Sequence, residues 1–239
     1  MDNHAVATGP FLLNITIASV CGMKKNVQAL NIVMKYMLLL LFWIVWCTLH
    51  SALISLTVIE VLRRRFPGGF RFYRIAYNLF AVVTLVPILG YAASLKGRPI
   101  IAWEGMLRIV PILLWSVGLV FFFTGLQRYD LFQFFGIRQL KGENTCSVLT
   151  DDCTLDTGGV LSIVRHPWYS AGILIVWARP LDAVVILTNL VICGYFVAGA
   201  MLEERKLKIQ FGRQYTDYQQ QVSMFFPIRW ARDRLYRER

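Results

Sequence analysis

Two short stretches near the end of the chain carry residue types that can do chemistry together: Arg165-His166-Pro167-Trp168-Tyr169 and Glu203-Glu204-Arg205-Lys206-Leu207. His166 offers a titratable imidazole and Arg165 a permanent cation. Tyr169 offers a flat face and a hydroxyl, of the kind an adenine pocket uses. Pro167 suits the first turn of a helix, where its missing N–H is no loss, and His166 then precedes that turn beside free backbone N–H groups. Glu203 and Glu204 can bind an ammonium group or ribose hydroxyls. Ionisable residues near membrane depth are costly and are functional suspects by default. An interfacial belt of Trp and Tyr beside a solvated pair of glutamates accounts for the same residues. Against that second account, a helix C-terminus disfavours anions, so the two glutamates call for a compensating partner.

The elements that must position these residues are membrane helices. Of 239 residues, 56% are hydrophobic and 16% charged, whereas a soluble domain carries about 25% charged residues. Spanning a hydrocarbon core takes about 20 mostly apolar residues. Tyr36–Leu62, Ile75–Leu95 and Met106–Leu126 satisfy that length. Tyr129–Arg165 is a polar loop with a short amphipathic piece at Leu131–Leu140. Pro167–Ala178 and Leu181–Leu202 are joined by the turn signal Arg179-Pro180 and form a helical hairpin. The expected fold is therefore all-α, a polytopic transmembrane bundle of about five segments with a C-terminal hairpin. Residues 1–33 read as an N-terminal extension, or as a short amphipathic helix on the membrane. Residues 34–239 read as one membrane-embedded domain.

The hairpin's first arm is too short, at roughly 18 Å, to cross a layer about 30 Å thick. Either it continues back through Gly159–Val164 as helix, or Arg165-His166 sits below the membrane surface. Non-helical backbone at that depth must be buried in protein or line a cavity, which points to a pocket. Phe211, Tyr215, Tyr218, Val222 and Phe225 form an amphipathic stripe, the pattern of a helix on the membrane surface that can also cover the site. Basic residues cluster after the first and third spans and in the tail. Nine of the 25 Lys and Arg residues fall between Arg205 and Arg239. That bias orients the chain with its N-terminus out, its C-terminus in and the site facing the cytoplasm. The tail then lies beside anionic lipid, and no nucleic-acid recognition pattern accompanies it.

Taken together, Gly159 to Tyr169, Leu202 to Leu207, Phe211-Gly212, Tyr215, Tyr218, Val222 and Phe226-Pro227 resemble the isoprenylcysteine carboxyl methyltransferase and phospholipid methyltransferase superfamily. The pattern is a glycine turn, RHPxY, a hairpin, EExxL, FGxxYxxY and a closing proline, spanning residues 158–227. Trp46 to Ser51, Tyr73 to Asn78 and Phe135 to Leu140 resemble its bacterial branch of methanethiol S-methyltransferases and NnrU-like proteins. The chain departs at Val160-Leu161, where the family often has Pro-Tyr, and at Ser223, where it often has proline. The resemblance implies S-adenosylmethionine as cofactor, with Gly159, Arg165, His166, Pro167, Tyr169, Glu203 and Glu204 around it. His166, Glu204 and Arg205 are the candidates for catalysis.

On the substrate side, the buried histidine His50 is one turn from Trp46, and Tyr77 and Asn78 form a polar pair in the second span. A hydrogen-bonded core role for His50 and an interhelical role for Asn78 are the alternatives. The five cysteines, Cys21, Cys47, Cys146, Cys153 and Cys193, give no metal-ligand spacing, and no metal is expected. The expected acceptor is a thiol or another small lipophilic molecule. A prenylated cysteine carboxylate, a phospholipid amine, and a non-catalytic scaffold of the same fold are the rivals.

Overall fold

A computed structural model describes the backbone of residues 9–141 and 154–237. Cys146, Cys153, Asp151 and Asp152 lie outside the described residues, as does most of the side-chain detail before Asn26. The helices are α1 (Gly9–Leu53), α2 (Leu56–Arg65), α3 (Tyr73–Ser94), α4 (Ile109–Leu126), α5 (Leu131–Phe135), α6 (Ile137–Leu140), α7 (Pro167–Trp177), α8 (Ala183–Phe211), α9 (Arg213–Gln221) and α10 (Ile228–Arg237). Lipid offers no partner to a free N–H or C=O, and a helix satisfies both within itself. Four stretches are long and apolar enough to span: Asn26–Leu53, Phe70–Ser94, Gly105–Leu126 and Ala183–Phe211. The chain is an integral membrane protein with an all-α fold.

Several expected boundaries move. The first span does not run from Tyr36 to Leu62. Its helix passes unbroken through Met34 and stops at Leu53. Ser55 then caps α2, its hydroxyl accepting from the Val58 amide at 3.3 Å. A serine at that position outcompetes continued helix, because its side chain supplies a local acceptor. The piece expected at Leu131–Leu140 splits at Gly136, which takes φ 86°. A Cβ there would stand 2.8 Å from the Arg74 Cβ, so only glycine fits. The hairpin's long arm reaches Phe211, well past Leu202.

The short arm settles between the two expected alternatives. Gly159–Ser162 is a 3-10 turn, and the helix starts only at Pro167. Val164 to His166 is non-helical backbone that pairs with Ser223 and Met224. Arg165 N donates to Ser223 O at 2.9 Å and His166 N to Met224 O at 3.1 Å. The segment ahead of α7 is therefore satisfied by the C-terminal chain rather than by its own helix.

Packing fixes α7 against α4. Gly118 and Gly125 remove side chains where the two helices meet, which lets their backbones approach as small residues do in membranes. The indole of Trp168 lies over Gly125, and Ile175 lies over Gly118. At the far end of the hairpin, Ile101 and Leu181 exchange backbone hydrogen bonds of 3.0 and 2.9 Å. Trp103 Nε1 also donates to Arg179 O at 2.8 Å, so the hairpin tip is tied to the α3–α4 connection. Asp182 caps α8, accepting from the Val185 amide at 2.8 Å.

A Cβ on Gly125 would meet the Trp168 ring at 2.7 Å, leaving no room for a larger residue. Gly125→Val is expected to destabilise the protein by about 1–3 kcal/mol through overpacking. Thermal unfolding in detergent should show a lowered midpoint, whereas the lipid-facing change Leu119→Val should leave it nearly unmoved.

Candidate active site

The hairpin ends converge. Arg165 and His166 precede α7, Glu203 and Glu204 lie on the last turns of α8, and the extended segment after α9 closes the third side. Glu204 is the hub. Its Oε1 accepts from Arg165 Nε at 2.7 Å and lies 3.2 Å from His166 Nε2. Its Oε2 accepts from Gln219 Nε2. The Arg165 and Glu204 side chains are each 8% exposed. A buried carboxylate needs this many partners, since desolvation otherwise outweighs attraction.

Arg165 is held from behind as well. Its Nη1 donates to Gln219 O at 3.1 Å and to Val222 O. Arg229 donates to the Gln219 carbonyl and to Gln220 O, which links α10 to the same belt. Tyr218 donates its hydroxyl to Leu161 O at 2.6 Å. Burial lifts the hydroxyl pKa of Tyr215 and Tyr218 above the usual tyrosine value, so both stay neutral. The stripe of Tyr215, Tyr218 and Val222 thus faces inward with Leu207. Its expected surface helix is shorter, and its aromatic face packs on protein, because these rings have the hairpin start to cover.

Glu203 is placed differently from Glu204. A third of its side chain is exposed, and it lies 3.8 Å from His166 Nδ1. The Tyr169 hydroxyl interacts with it. Tyr169 stacks between His166, at 5.5 Å between ring centroids, and Phe196, at 5.3 Å. One carboxylate is consumed by the fold and the other is open.

Gly159 takes φ 55°, and a Cβ there would stand 2.5 Å from the Arg128 guanidinium, which explains a glycine turn at that point. Pro167 is buried at the first turn of α7. Arg205 is exposed. One residue around the helix from buried Glu204, it points away from the cluster.

The substrate-side candidates fall into two groups. His50 Nε2 lies 2.6 Å from the Tyr77 hydroxyl, and its ring stacks on Trp46 at 4.7 Å. Asn78 instead donates to Phe134 O at 3.0 Å, fastening α5 to α3. Next to His50, an open groove of about 500 Å³ runs between α1 and α8, lined in part by Cys47, Thr48, Ser51, Tyr195, Gly199 and Leu202. The sequence reading missed Gln219 and Tyr195. Gln219 sits in a run of three glutamines with nothing to distinguish it, and Tyr195 lies inside an apolar span.

No family model matches the chain, and no solved structure matches it significantly. Three similar proteins are methanethiol S-methyltransferases. The one numbered 1 from Bradyrhizobium diazoefficiens is 31% identical over 160 residues, covering 65% of this chain and 55% of the relative. That of Pseudomonas deceptionensis is 32% identical over 100 residues, covering 40% of this chain and 37% of the relative. That of Mycobacterium tuberculosis is 26% identical over 162 residues, covering 64% and 63%. The chain spans about half the length of the first relatives it matches.

The unequal settings of the two glutamates make a stability test. Glu204→Ala strips the acceptor from Arg165, His166 and Gln219 and is expected to cost about 3 kcal/mol. Glu203→Gln should stay within ~0.5 kcal/mol. Unfolding midpoints of the two variants in one detergent check both values. By sequence, the chain is similar to bacterial methanethiol S-methyltransferases, which bears out the resemblance carried by its motifs.

Proposed function

We propose that this protein is an S-adenosylmethionine-dependent methyltransferase acting on a small thiol, with its active site on the cytoplasmic face. The observation that carries the reading is the pair of carboxylates, Glu204 neutralised by Arg165 and Glu203 left open beside Tyr169. Three requirements of a nucleoside carrying an ammonium and a sulfonium are met there. Glu203 supplies a partly exposed anion, Tyr169 supplies a hydroxyl beside it, and His166 supplies a donor between the two carboxylates. The names of the relatives support a thiol as acceptor.

Bound there, S-adenosylmethionine supplies an electrophilic methyl group that needs little further activation. The chain's own residues have to orient, exclude water and handle one proton. Arg165 and Gln219 hold Glu204 in place, and Glu204 holds the His166 ring toward Glu203. His50 takes the thiol proton as a neutral imidazole braced by Tyr77. With the donor held beside Glu203, Tyr169 and His166, the thiolate electron pair would form the new sulfur–carbon bond while the pair of the broken bond would remain on the donor sulfur. The products are two neutral thioethers, and the proton on His50 passes to solvent. With its N-terminus out, α1 would span first, and the boundary read at residue 34 falls inside that helix.

Labelled S-adenosylmethionine should bind the detergent-solubilised protein saturably, and Glu203→Gln should weaken that binding about tenfold, the loss of one charge-assisted contact. Supplied with methanethiol, the wild type should release dimethyl sulfide, measured in the headspace. Methylation of a prenylated cysteine or of phosphatidylethanolamine in preference to methanethiol would replace the thiol reading. Absence of saturable binding would remove the enzyme.

A further inference from the structure

We infer that the groove between α1 and α8 seats the methyl acceptor, a small apolar thiol, and that Gly199 is its passage toward Glu203 and Tyr169. This assignment rests on the methyltransferase reading above.

The groove exists because two packed neighbours end at different levels. Helix α1 stops at Leu53 and the chain turns away through Ser55, while α8 continues to Phe211. Beside Ala198 and Leu202, α8 therefore loses its neighbour just before Glu203. The lining holds no charged residue. An acceptor carboxylate would need a cation there to offset its desolvation, and none is present among the described lining residues. A neutral thiol has no such requirement.

One polar contact inside the groove is suited to sulfur. Ser51 Oγ donates to the Tyr195 hydroxyl at 3.2 Å. With its oxygen already accepting, Tyr195 keeps its own proton for a group in the groove. A thiolate sulfur is a soft acceptor for it, stabilised by one hydrogen bond without being tied down. His50, which packs against Tyr195 with ring centroids 5.8 Å apart, is adjacent to receive the thiol proton.

Gly199 connects this groove with the donor side. It lines the groove, and a Cβ on it would face the Tyr169 hydroxyl at 3.7 Å with only the same ring otherwise near. Tyr169 in turn interacts with Glu203. A bare helix surface at one position thus separates the acceptor groove from the open carboxylate.

The test narrows the groove from the α1 wall, away from Glu203 and Tyr169. Thr48→Leu and Ala52→Leu should raise KM for methanethiol about tenfold and leave the dissociation constant of S-adenosylmethionine unchanged. Leu49→Phe, a bulkier change on the lipid-facing side of the same helix, should alter neither. Tyr195→Phe should lower kcat/KM for the thiol with donor binding intact, and it keeps the ring packing if the leucine variants misfold. Unchanged methanethiol KM in both leucine variants, or unchanged kcat/KM in Tyr195→Phe, overturns the groove assignment while the enzyme reading stands. A wild type that binds no S-adenosylmethionine withdraws both.

Discussion

A carboxylate placed near the end of a helix, out of water, is the constraint around which this C-terminal half is arranged. Glu204 is tolerated only because Arg165, His166 and Gln219 come to it from three directions. Each partner imposes a further demand. Arg165 must leave helical conformation to reach the carboxylate, so its backbone pairs with Ser223 and its guanidinium caps the carbonyls of Gln219 and Val222. Gln219 must sit on a helix that folds back under α8, which Gly212 permits by adopting φ 54°. The tyrosines of α9 then fill the space beneath. The ion pair is thus less a source of stability than a device that fixes one arrangement of four chain segments.

That arrangement separates two jobs that adjacent glutamates could otherwise share. Residues one position apart on a helix point about 100° apart, so α8 sends Glu204 into protein and Glu203 to a partly exposed position beside Tyr169. The third member of the run, Arg205, continues the rotation to the exposed surface. A short polar run at the end of a span can therefore hold a buried structural anion, a partly exposed anion and a surface cation in three consecutive positions.

Much of this could be read from the sequence, because membrane helices declare themselves by length and apolarity. A proline and paired acids at the two ends of a hairpin are also seldom placed there by packing alone. The Arg179-Pro180 turn marked the hairpin tip correctly. What escaped were features set by tertiary contact. Ser55 starts a new helix within a stretch whose composition continues unchanged. The parallel pairing of Val164 with Ser223 joins residues far apart in sequence, and no local pattern records it. The inward turn of Tyr215 and Tyr218 has the same periodicity as a membrane-facing stripe. Periodicity gives the angle of a face and not what covers it.

The carbonyls that seat Arg165 belong to residues 219 and 222, and the backbone partner of His166 is Met224. All three emerge from the ribosome after every apolar span. During biogenesis the bundle can insert and pack its helices while the arginine and its glutamate still lack their third side. Completion of this buried cluster is thus a late step, the docking of the C-terminal segment after the last span, and a nascent chain still threading into the bilayer holds Glu204 without its full set of partners.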